Sequence, residues 1–232
     1  MILIMFFLPY NLTLKIISWT YAIIISIIVG FLLIYSSKML KRKSEMVSKI
    51  RFYYGLFLIC WAISRGLFIA SDYVLDKEGA TFLNIQLILI GYLVMILSFT
   101  ALIFNIEKNI KSPASMTTTK ITLVGDFGLI GFWIGSIFST KVEIYARIFA
   151  YIITSIVSVI IFFFLLFLAL KLVGKIRKIA LLNLLAICLI FAGHVLDSRL
   201  LAPFYYDIIW FPALLSLTGS ILFYYVQKKS EK

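Results

Sequence analysis

Residues Ile144 to Leu170 read IYARIFAYIITSIVSVIIFFFLLFLAL, with Arg147 the one charged side chain among them. A helix through this stretch is about 42 Å long at 1.5 Å per residue, longer than a bilayer's hydrocarbon core of roughly 30 Å, so it must tilt or project into the cytoplasm. Open β structure is excluded at that depth. Lipid offers no partner for a free N–H or C=O, and the stretch lacks the two-residue alternation of a barrel strand. Working outward, six more stretches are long enough to cross: about Leu14 to Ser36, Phe52 to Val74, Phe82 to Phe104, Ile121 to Phe138, Ile179 to Leu196 and Tyr205 to Val226. The expected fold is all-α, a polytopic seven-transmembrane helix bundle forming a single transmembrane domain over residues 1–232.

Composition agrees. The 232 residues are 63% hydrophobic and 14% charged, where a soluble domain is about half apolar and about a quarter charged, which excludes a water-soluble globule. Ile, Leu, Val and Phe are too abundant for a disordered chain, and two cysteines are too few for a disulfide scaffold.

The net charge of +12 does not indicate nucleic-acid binding, because of where the charges fall. Lys38, Lys41, Arg42, Lys43, Lys49 and Arg51 follow helix 1, and Lys108, Lys111 and Lys120 follow helix 3. Lys171, Lys175, Arg177 and Lys178 follow helix 5, and Lys228, Lys229 and Lys232 form the tail. The alternate connections hold Asp76, Lys77 and Glu78, then Lys141 and Glu143, then Asp197 and Arg199, and nearly cancel. By the positive-inside rule the N-terminus is outside and the C-terminus inside an integral, multi-pass cell-membrane protein. The bilayer itself is the first partner, through these basic loops and its anionic lipid. Met1 to Leu12 is apolar without a basic n-region, so helix 1 is expected to serve as the insertion signal. Asn11-Leu12-Thr13 matches a glycosylation sequon.

The halves show a faint echo. Lys49-Ile50-Arg51, Cys60, Arg65 and Asp72 in helix 2 parallel Lys175-Ile176-Arg177, Cys188, His194 and Asp197 in helix 6, and Ser98-Phe99-Thr100 parallels Ser216-Leu217-Thr218. A 3+1+3 parallel repeat is one reading and chance similarity between apolar helices the other. Helix 4 carries Gly125, Gly128, Gly131 and Gly135, and Gly131-x3-Gly135 predicts close backbone approach, to its own bundle or to a second protomer.

Ionisable groups inside spans call for explanation, since each costs on the order of 2.5–3.5 kcal/mol at mid-bilayer. Arg65 lies ~20 Å along helix 2, His194 ~22 Å and Asp197 ~27 Å along helix 6, all in the outer half. Asp72, Asn84, Gln86, Arg147 and Asp207 lie within about two turns of the outer boundary. Arg65 and Asp72 are seven apart, and His194 and Asp197 three apart, so each pair can share a helix face. If those faces meet, they line a vestibule suited to a small polar ligand, with Trp19, Trp133, Trp210, Tyr205 and Tyr206 as its walls. Structural alternatives stand beside this reading: Arg147 as a local partner of Glu143, Asp72 and Asp207 as helix-end residues, Arg65 snorkelling, and the aromatics as belt anchors. Asp126 is expected as a first-turn acid favoured by the helix dipole, or as part of an inner gate or proton path.

One histidine and two distant cysteines give no zinc, haem or redox motif, so neither a metal site nor a cofactor is expected. Tyr205 to Val226 has no lysine for a retinal Schiff base. Gly125-Asp126 and Tyr206-Asp207 stand in the wrong order for an intramembrane aspartyl protease, and Gly135-Ser136 lacks the surround of an intramembrane serine nucleophile. No catalytic residue is assigned, though His194 with Asp197 keeps a hydrolase open as an alternative.

The basic loop before an aromatic-rich helix 2, the Phe104-Asn105-Ile106-Glu107-Lys108 exit from helix 3 and the Thr119-Lys120-Ile121-Thr122 re-entry resemble the seven-helix input regions of prokaryotic sensor proteins, often fused to histidine kinases. That resemblance implies a membrane receptor or sensor. With Lys232 as its last residue, this chain is expected to signal through a separate partner at the cytoplasmic loops. The first functional reading is therefore a receptor binding a small polar ligand, and the rival is a small-solute or ion transporter or channel.

Overall fold

The computed structural model describes residues 2–40, 45–78, 81–110, 116–197 and 208–229. They form seven α-helices, with no strand among the described residues: α1 (Ile2–Leu40), α2 (Glu45–Glu78), α3 (Phe82–Ile110), α4 (Thr117–Phe138), α5 (Thr140–Lys171), α6 (Gly174–Leu196) and α7 (Phe211–Lys229). Six of them, α1 to α6, are long and apolar enough to cross a membrane. The protein is an integral, multi-pass membrane protein. Large apolar side chains such as Val124, Phe127, Ile144 and Phe163 are exposed, while Ser26, Ser64, Ser71, Asn84, Thr122 and Ser220 are buried. This distribution suits a lipid solvent, in which helices associate through packing and polar contacts and not through burial of apolar surface from water.

The first membrane-crossing stretch, Thr13–Leu40, agrees with the expected Leu14 to Ser36 and lies within a longer helix that runs from Ile2 and includes the Asn11 sequon. α7 begins at Phe211, not Tyr205. Pro212 sits in its first turn, where a missing N–H costs no helical hydrogen bond. Between α5 and α6 the chain turns at Gly174, whose φ of +60° is left-handed backbone that favours glycine.

The chain divides into two compact units. One, Gly30–Phe164, holds the end of α1, then α2, α3, α4 and most of α5. Its axis is α3, whose buried residues Ile85, Leu89, Tyr92, Ile96, Phe99, Ile103 and Ile106 alternate steps of four and three and so form one stripe. α2 packs antiparallel on this stripe, with Phe57 and Phe99 ring centroids 5.0 Å apart and the Ser64 hydroxyl donating to the Gly91 carbonyl at 2.8 Å. The end of α1 meets α2 where Gly30 and Gly55 face each other; a Cβ on either would fall 2.6–2.8 Å from the other's carbonyl oxygen. α4 lies against α5 through Gly125 on Ile153, Gly128 on the Phe149 ring and Gly135 on Val142. The glycine stripe thus serves the protein's own helices, but Gly131 is not part of it and has open space beside it.

The other unit, Met1–Val29 with Leu165–Lys232, is built on the antiparallel pair α6 and α7. Gly193 faces Ser216 and the Pro212 carbonyl, and Gly219 faces the Ala186 carbonyl, so small residues again let backbones approach. Ser26 of α1 hydrogen-bonds Ser220 at 2.8 Å, and Gln227 donates to Asn183 at 3.0 Å.

Candidate functional site

The polar residues near the start of α3 are turned inward. Asn84 and Gln86, only two positions apart, serve different helices. Asn84, 1% exposed, donates from Nδ2 to both the carbonyl and the hydroxyl of Ser71 on α2, each at 2.7 Å. The Ser71 hydroxyl returns a bond to the Asn84 carbonyl at 3.1 Å. On the acceptor side, Arg147 of α5 donates from a terminal nitrogen to Asn84 Oδ1 at 3.2 Å. One amide therefore joins three helices. Gln86 Oε1 accepts from the Trp133 indole at 2.7 Å, and its Nε2 donates to Ser136 at 3.0 Å, joining α3 to the last turns of α4.

Arg65, 4% exposed, faces the same unit from α2, where Asp72 and Tyr92 are its electrostatic partners. Tyr92 stands between the Phe68 ring at 4.9 Å and the Tyr151 ring at 5.4 Å. Arg147 reaches α3, although sequence proximity favours Glu143, whose side chain lies outside the described residues. The Arg147 Nε is buried and has no acceptor among the described residues.

His194 and Asp197 belong to the other unit. His194 is half-buried in the last turn of α6, and Asp197 is the C-cap residue, its N–H bonded to the Gly193 carbonyl at 3.2 Å. A carboxylate is disfavoured at the negative end of a helix dipole. Lys15 of α1 offsets that cost by pairing with Asp197 Oδ1 at 3.3 Å. Asp207 lies outside the described residues, as do Tyr205 and Tyr206.

Asp126 is not a first-turn acid. α4 begins at Thr117, which puts Asp126 nine residues, roughly 14 Å, into the helix. It is 2% exposed, neither carboxyl oxygen has a hydrogen-bond partner among the described residues, and its polar neighbour is the Thr100 hydroxyl of α3. The acid that faces the dipole of α4 comes from another helix. Glu107, fully buried at the end of α3, accepts from the Thr118 N–H at 3.3 Å, the Thr119 N–H at 2.9 Å and the Thr119 hydroxyl at 2.7 Å.

At that same end of the Gly30–Phe164 unit a cavity of about 350 Å³ opens between α1, α2 and α3, with Lys49, Lys108, Phe52 and Phe104 in its wall. Arg51, counted with the loop in the sequence, is inside α2 and 1% exposed.

Sequence reasoning overlooked Lys15, Ser71, the pairing of Ser136 with Gln86 and the capping role of Glu107. Lys15 had a signal, being a cation at the start of a span. So did Glu107, a lone acid in a basic connection followed by the Thr117–Thr119 run. Ser71 and Ser136 had none, since hydroxyl residues occur throughout these helices. No protein-family model matches the chain, and neither does any curated protein or solved structure.

Proposed function

We propose that this protein is a receptor or sensor of the membrane, with seven spans, its N-terminus outside and its C-terminus inside. It binds a small polar ligand carrying a carboxylate at the level of Arg147 and Arg65 and relays a helix shift to the basic loops, where a separate partner reads it. The observation that carries this reading is the Ser71–Asn84–Arg147 chain across α2, α3 and α5, buried at Ser71 and Asn84 and half-buried at Arg147. A guanidinium has five donors, and the Nε of this one has no acceptor among the described residues. A carboxylate placed there gains charge-assisted bonds while competing with Asn84 for Arg147, which is the differential interaction a ligand needs to shift helices.

Other features support the finer points. α7, with 19 residues, is about 28 Å long, near the thickness of the hydrocarbon core. The α2–α3 and α6–α7 hairpins are both extensively packed antiparallel pairs, which supports reading them as corresponding parts of a 3+1+3 repeat. Glu107 joins the two loop segments on which the likeness to sensor input regions rests. A transporter is the second reading, favoured by the buried Asp126 carboxyl inside a span, which has no hydrogen-bond partner among the described residues.

Thermal unfolding in detergent against a panel of amino acids and short carboxylates tests the proposal. Stabilisation by one of them, lost in Arg147→Ala and without flux in proteoliposomes, is the expected result. Solute flux abolished by Arg65→Ala or Asp126→Asn favours transport and overturns the receptor.

A further inference from the structure

The cavity at the basic end lies at a defined depth. The spans of its three helices end or begin at Leu40, Val47 and Lys108, and its lining residues fall within about two turns of those boundaries. For helices that cross the bilayer over these spans, that is the level expected for lipid head groups and glycerol backbones. Its wall has two chemistries. Lys49 and Lys108 supply ammonium groups. Lys49 is paired with Glu45 at 2.7 Å, whereas Lys108 has no carboxylate partner among the described residues and sits over the Phe104 ring at 5.5 Å. The charged residues described in the wall, Glu45, Lys49 and Lys108, therefore sum to one positive charge, the complement of a phosphodiester. Phe52 and Phe104, 41% and 37% exposed, continue this wall onto the lipid-facing surface, and the hydroxyl of Ser48 is held by the Ser37 carbonyl at 2.8 Å on the polar side.

We infer that this cavity binds the head group of an anionic phospholipid, with the phosphate between Lys49 and Lys108 and the glycerol and first acyl methylenes against Phe52 and Phe104. A soluble phosphate would share the lysines but gain nothing from the aromatic half, which is the reason to assign the lipid. The inference stands apart from the receptor reading, since it uses the opposite end of the helices.

Thermal unfolding of the full chain in detergent, titrated with phosphatidylglycerol, phosphatidylcholine or sodium phosphate, tests it. Phosphatidylglycerol alone is expected to stabilise the protein. Its apparent affinity is expected to fall at least roughly tenfold in Lys49→Gln/Lys108→Gln, at ~1 kcal/mol per lysine, and to be kept in Lys171→Gln/Lys229→Gln. The single variant Lys108→Glu, at an exposed position, gives the same reading should the double variant not fold. Equal stabilisation by phosphatidylcholine, an equal effect of sodium phosphate, or an equal loss in the Lys171/Lys229 control each overturns the site.

Discussion

Glu107, at the end of α3, receives both the backbone N–H and the hydroxyl of Thr119 in the first turn of α4, at 2.9 and 2.7 Å. Met116, the N-cap residue, makes no side-chain cap bond, so the α4 terminus depends on a carboxylate from the preceding helix. Hydrogen bonds to a charged group contribute about 1.5–3 kcal/mol each. Glu107→Ala is expected to lower stability by at least about 2 kcal/mol, and Thr119→Val, which keeps the N–H bond, by about half as much. Thermal unfolding of both variants in one detergent gives the ratio, and equal losses would contradict the cap.

Gly55→Ala and Gly219→Ala are expected to destabilise strongly, because each new Cβ would meet a backbone carbonyl at 2.6 Å and a backbone cannot move aside as a side chain can. Gly66→Ala and Gly131→Ala meet nothing within 4 Å and are expected to be neutral or to stabilise by up to about 1 kcal/mol through helix propensity. A melting-temperature series over the four variants checks the order.

Lys15 and Asp197 form an ion pair with side chains 15% and 4% exposed. Lys15→Met leaves a carboxylate without its cation and is expected to cost about 3 kcal/mol, whereas Lys15→Met with Asp197→Leu recovers most of that loss. A double-mutant cycle by thermal unfolding measures the coupling, and additive losses would show the pair to be inert.

Asp126→Asn is expected to raise stability, since it removes a charge that no described group satisfies inside a span. The expected sign is a higher melting temperature. A lower one would mean that the carboxyl itself contributes to stability.

The span regions were legible because a bilayer sets the length and composition of any helix that crosses it, and α2 to α6 contain their predicted spans almost entirely. The expected first span also lies within α1, and the difference is at the last helix, where α7 begins at Phe211 with Pro212 in its first turn and not at Tyr205. For the site, the residue types gave depth but not direction. Asn84 and Gln86 stand out in the sequence as amides within a span, but the partners that turn them inward, serines and a tryptophan beside Arg147, carry no distinguishing mark in the chain. Glu107 takes the place expected of Asp126 for the same reason, since dipole compensation is a matter of which carboxylate reaches the helix end in space.

By itself, the sequence determined that this chain crosses the membrane repeatedly as helices, because an unpaired backbone group in lipid is too costly for anything else. The tertiary structure alone decided which polar side chain meets which. Lipid is as apolar as the helix surfaces, so helix pairing depends on small residues that fit and on hydrogen bonds that close, and both are properties of two surfaces brought together, not of either read alone.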